Sequence, residues 1–206
     1  MPITSTHPQY ADQCARWSIN RAACRGQDEV KRATTDFLPD DSAADRSNEA
    51  RARYARYLLR ATWMPVSSYT QQGLIGMVMR RAPEVELPPE IEYATENADG
   101  AGLSLDQMAK QALAEVIEVG RLGLLVDYPS AEPGLSAEQV AMMGLSARMT
   151  IYRAESIDNW RLRNIGGVLR LVMVKLCELA EVEKDDYALE YEKRYRVLKL
   201  ENGVYT

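Results

Sequence analysis

The chain has 206 residues, 46% apolar and 27% charged, which suits one folded domain of ordinary size and excludes disorder throughout. Its net charge of −5 speaks against a nucleic-acid binder held by bulk positive charge, though not against a protein past which DNA slides. The charge is divided, with 12 Lys/Arg against 8 Asp/Glu in residues 1–81 and 13 against 22 in residues 82–206. Opposite halves suit a subunit that packs head-to-side on copies of itself; solvated faces that merely differ are the plainer alternative.

The start, to Pro8, reads as polar and extended. Tyr10, Cys14 and Trp17, with the stem of Arg21, recur at helical spacing and predict a helix from Tyr10 to Cys24, ended by Gly26. Residues 28–47, with Pro39, Asp40, Asp41 and Asp45, read as a long surface loop. Ser47 or Asn48 caps a second helix. Its apolar stripe is Tyr54, Tyr57, Leu58 and Ala61, and Arg51, Arg53, Arg56 and Arg60 take the remaining circumference. Pro65 has no amide proton to give, so it is placed in the first turn of a third helix running to about Arg81. Residues 83–89 form an extended connector and 97–102 a flexible turn. Ser104 followed by Gln107 is a capping-box pair. It opens a helix with Leu105, Met108, Ala112, Val116 and Ile117 on one face, stopped by Gly120.

Beyond that helix the pattern turns to β. Leu122–Val126, between Gly and Pro, reads as a buried strand, and a short helix starts at Ser136. Strands are predicted over 148–153, 159–163, 168–179 and 187–200, with a turn at 164–167 and a hairpin turn at Asn202-Gly203. Only three residues follow that turn, so the chain is expected to be part of something longer. The expected fold is α+β, with N-terminal helices followed by a mixed or antiparallel β region. Residues 1–46 form an N-terminal helix and long loop, and residues 47–206 form an α+β unit incomplete at its C-terminal end.

Catalytic chemistry has few candidates. His7 is the single histidine and lies in the extended start, so Ser–His and Cys–His arrangements lack a base. Cys14, Cys24 and Cys177 have neither disulfide nor zinc spacing. Gly73-Leu-Ile-Gly76 lacks the Lys and Ser/Thr of a phosphate loop, and Gly120-Arg-Leu-Gly123 runs from helix to strand, the wrong order for a dinucleotide site. These glycines read as packing positions where a neighbouring backbone comes close. The pairs Asp40/Asp41 and Asp185/Asp186 read as solvated loop charge, and Met64, Met77, Met79, Met142 and Met143 as ordinary packing. No catalytic residue, metal, cofactor or enzyme activity is expected. No signal peptide or membrane span is expected either, which places the protein in the cytosol. The one constellation with functional promise is Arg53, Tyr54, Arg56, Tyr57 and Arg60. It reads as a subunit interface, with a solvated face and a DNA contact as the alternatives.

Several segments, taken in order, resemble a family of tailed-bacteriophage portal-like proteins long catalogued as a domain of unknown function. They are Thr6-His-Pro-Gln-Tyr10 with Arg16-Trp17, Gly26-Gln-Asp-Glu-Val30 with Phe37-Leu-Pro39, and Arg53-Tyr-Ala-Arg-Tyr57. Next come Gly73-Leu-Ile-Gly-Met-Val-Met-Arg-Arg-Ala-Pro-Glu-Val85, Ser104-Leu-Asp106 and Gly120-Arg-Leu-Gly-Leu-Leu-Val-Asp-Tyr-Pro129. Ile157-Asp-Asn-Trp160 and Tyr195-Arg-Val-Leu198 complete the set. The resemblance implies a wing-like α+β portion of a portal protein. That protein is a homo-oligomeric ring, usually a dodecamer, at one capsid vertex of the virion. Its implied partners are the terminase large subunit, the major capsid or scaffolding protein, the tail adaptor, and double-stranded DNA passing non-specifically. Under that reading Glu178, Glu181 and Glu183 are candidate acidic residues facing the channel or rim. A head–tail adaptor sharing a wing-like domain is the alternative.

Overall fold

The computed structural model describes residues 3–129, 134, 136–185 and 188–206; the expected residues Asp186 and Tyr187 lie outside them. The fold is α+β, helices first and antiparallel sheets after. Helix α1 (Tyr10–Arg25) buries Trp17 and Arg21, one turn apart and so on one face. Gly26 breaks it with φ 97°, and the chain restarts at once as α2 (Gln27–Arg32) and a 3-10 turn (Thr34–Asp36). This corrects the expectation of a loop over 28–47. Val30, 1% exposed, supplies the short helix's buried side chain, and Asp28/Glu29 and Lys31/Arg32 complement its two ends.

Helix α3 (Asn48–Arg60) starts where Ser47 Oγ accepts the Ala50 amide. Helix α4 (Val66–Val78) follows Pro65, which caps it from outside the first turn. Helix α5 (Leu105–Val119) carries the expected capping box and ends in left-handed Gly120 at φ 73°. Before it, the turn at 97–102 is fastened: Asp99 Oδ1 accepts the Ala101 and Leu103 amides, and Ala98 is buried and bonded to Leu103. Gly73 and Gly76 have no atom within 4 Å of a would-be Cβ, so they are not close-packing positions.

Strands β1 (Leu122–Asp127) and β2 (Arg148–Arg153) pair antiparallel, with the short helix α6 (Ala137–Met142) between them. β3 (Ile157–Ile165), β4 (Val168–Asp185), β5 (Ala188–Glu201) and β6 (Val204–Tyr205) form an antiparallel meander. Ile157 pairs with Leu176 and Val174 with Leu198. These side chains meet Tyr152 and Leu125 in the core between the two sheets. Gly123 does have its close neighbour there, because a Cβ would lie 2.9 Å from Ile157 Cδ1. β1 is not the buried strand expected. It pairs with one strand only, and Leu124 and Val126 are exposed.

The 18-residue β4 is roughly 56 Å long at ~3.3 Å per residue. No described residue of its outer part, from Leu179 to Glu183, is buried, nor any from Leu189 to Arg194 opposite. Apolar surface is left open elsewhere too. Met64, Met77, Met142 and Met143 are all exposed, against the expectation of ordinary packing. The accessible surface of 15085 Å² exceeds the ~9,700 Å² that size scaling gives a compact monomer of 23.2 kDa.

Candidate functional site

Helical geometry divides the candidate set on α3. Ala50, Tyr54 and Leu58 lie at i, i+4 and i+8 and form the inner face. Ala50 is buried, and Tyr54 donates its hydroxyl to the Leu38 carbonyl at 2.8 Å. Tyr57 flanks that face and meets the Tyr54 ring at 6.1 Å. Arg53, Arg56 and Arg60, at i, i+3 and i+7, point the other way with Leu59. None of the three arginines has a carboxylate within ion-pair distance among the described residues. Leu59 and Met64, each 78% exposed, continue this corner toward Val66. Residues 51–81 contain six arginines and no acid. The structure therefore places the three arginines at one apolar, basic corner and takes Tyr54 out of it.

The three candidate acids are not brought together either. Side chains alternate across β4, so Glu178 lies on one face and Glu181 and Glu183 on the other. Glu178 is engaged: it accepts the Tyr152 hydroxyl and pairs with Arg196 Nε at 2.9 Å. Burial and that carboxylate push the Tyr152 pKa up to about 12. Glu181 accepts the Tyr191 hydroxyl at 3.2 Å on the outer hairpin, beside exposed Leu179 and Leu189.

Two buried ionic nodes hold the parts in place. Arg21 reaches Glu115 at 2.7 Å, Glu118 at 3.5 Å and also Glu155, tying α1 to α5 and to the turn before β3. The Glu155 hydrogen bond raises the Arg21 pKa above the ordinary arginine value. Burial alone would raise Glu155, but Arg21 outweighs it and holds that carboxyl below the usual glutamate range. The second node is Lys175, 3% exposed. Its three donors go to the Ile3 carbonyl at 2.8 Å, the Ser5 carbonyl at 2.9 Å and Asp158 Oδ2 at 3.0 Å. It fastens residues 3–7 across the sheet, helped by Asn159 to Ser5 and by the His7 amide to the Asp158 carbonyl. His7, expected in a free start, stacks on Trp160 at 3.9 Å.

A cleft of about 710 Å³ opens between β1 and the inner face of β4 and β5. Leu125, Leu171, Val174, Leu176 and Leu198 line its body, with Arg121 and Trp160 toward one end of β1 and Asp127 and Arg196 toward the other. Among the described residues no group of three or more His, Cys, Asp or Glu could hold a metal ion, and no helix is long and apolar enough to cross a membrane. The three cysteines are free. No family model matches the chain, and no curated protein matches it in sequence. Among the described residues, three surfaces stand open to a partner or ligand: a basic apolar corner, an acidic apolar hairpin, and an apolar cleft with Arg121 at one end.

Proposed function

We propose that this chain is a structural subunit of a tailed-phage portal ring, without a catalytic role. The observation that supports the reading is the surplus surface, 15085 Å² against ~9,700 Å² for a compact monomer, together with the exposed apolar side chains Leu59, Met64, Met77 and Leu179, whose removal from water would favour association. Its distribution suits a ring. The basic corner at Arg53, Arg56, Leu59 and Arg60 and the acidic hairpin with Glu181 and Glu183 are different, oppositely charged patches. A contact between unlike patches is heterologous, and such contacts close into rings when the rotation allows. The collinear resemblance to portal-like proteins supports the same reading. In it the ring sits at one capsid vertex, lets DNA pass, and docks the terminase large subunit, the capsid or scaffolding protein and the tail adaptor. Sedimentation velocity across a wide concentration range tests it. One large closed species supports a ring; a monomer at every concentration, with and without capsid and scaffolding proteins, refutes it and favours a head–tail adaptor.

A further inference from the structure

Arg121 is half-buried at the end of the cleft, and its guanidinium has no acceptor among the described residues. Its contacts are ring faces: Cζ lies 3.9 Å from the Trp160 centroid and 5.7 Å from that of Trp17. A guanidinium carries five donors, and removing them from water without partners is costly unless an anion completes the site. Burial accordingly draws the Arg121 pKa below the ordinary arginine value. The opposite end differs. Arg196 is already matched by Asp127 and Glu178, and Lys175, on the other face of β4, has all its donors in use. The cleft therefore offers one open positive charge and an apolar body.

Its size and shape narrow the ligand. The volume of 710 Å³ falls within the ~300–1,000 Å³ common for small-molecule sites. The six residues of β1 along its wall give roughly 17 Å at ~3.3 Å per residue, which suits an elongated molecule. Cζ sits 3.9 Å from the Trp160 centroid, a contact that uses none of the N–H donors, and the planar fork of a guanidinium matches the plane of a carboxylate. A doubly charged phosphate would leave one negative charge without a partner.

We propose that this cleft binds a free medium-chain carboxylic acid, its carboxylate on Arg121 and its chain running along β1 over Val174, Leu176 and Leu198. The site is independent of the ring reading and goes beyond it. Isothermal titration of the protein with decanoate, kept below its micelle concentration, tests the proposal, with decanol as the uncharged control. The expected result is saturable binding of one decanoate per chain, at least tenfold weaker for decanol and at least tenfold weaker for decanoate on Arg121→Met. Circular dichroism of the variant checks its fold. The acid-against-alcohol comparison uses the unaltered protein and decides the matter if the variant is unstable. No saturable binding, equal binding of acid and alcohol, or full affinity in folded Arg121→Met would each overturn the proposal.

Discussion

Replacing Lys175 by Met keeps the bulk of the side chain and removes the charge that holds residues 3–7 on the sheet. The substitution strands Asp158, whose side chain is 11% exposed and whose Oδ1 already has no hydrogen-bond partner among the described residues. Oδ2 then loses its ammonium and the Ile3 carbonyl its donor, while Ser5 keeps Asn159. Breaking a buried pair from one side typically costs ~3–5 kcal/mol, against a total stability of ~5–15 kcal/mol. For a chain of this length that is a fall in Tm of about 6–20 °C. Urea denaturation at fixed protein concentration measures it. Loosening of the His7–Trp160 stack should appear as a change in native-state tryptophan emission. The double variant Lys175→Met/Asp158→Leu removes both charges and should recover most of the loss, because an apolar pair of similar volume is often neutral. A loss under ~1 kcal/mol in the single variant, or no recovery in the double, would refute the view that this is a buried pair.

Four further outcomes follow from other sites. Arg21 keeps the Glu155 pKa below its unfolded value, so this carboxylate's stabilisation is present above about pH 4.5 and is lost as pH falls through the lower folded pKa. Glu155→Gln should flatten the acid limb of urea midpoints measured between about pH 3 and 6. Gly123→Ala should cost ~1–3 kcal/mol, since its Cβ would meet Ile157 Cδ1 at 2.9 Å and Tyr152 Cβ at 3.3 Å. Gly73→Ala, with open space around it, should be stabilising by ~0.5–1 kcal/mol in thermal melts. The triple change Arg53→Glu/Arg56→Glu/Arg60→Glu should leave the monomer's melting within a few degrees and weaken self-association at least tenfold by sedimentation. Reversing Glu181 and Glu183 to Lys alongside it should restore part of that association.

Local signals were legible where local chemistry decides the backbone. Ser104, Gln107 and Gly120 set both ends of α5, and Asn202-Gly203, with φ of 51° and 87°, makes the last hairpin turn. Helix α2 was hidden because six residues around one buried valine leave no periodicity to read. The nodes at Arg21 and Lys175 were invisible for another reason. The carboxylates of Arg21 lie 94 to 134 residues away, Lys175 pairs with Asp158 on the neighbouring strand and reaches Ile3 172 residues away, and an isolated arginine or lysine in sequence does not show which group will face it. Exposed methionines misled because their pattern resembles core spacing whether the covering surface is in the same chain or another. The acids of β4 were grouped by proximity in sequence, and strand alternation then set Glu178 apart from Glu181 and Glu183.

The ring itself is the claim to test first. Native mass spectrometry counts the copies in the assembled species, and negative-stain images of the same sample show their arrangement. A closed ring of roughly twelve copies with a central hole is the predicted result, in line with the heterologous contact proposed between unlike patches. A stable monomer, or a closed two-fold dimer that does not grow when the capsid and scaffolding proteins are added, would contradict it.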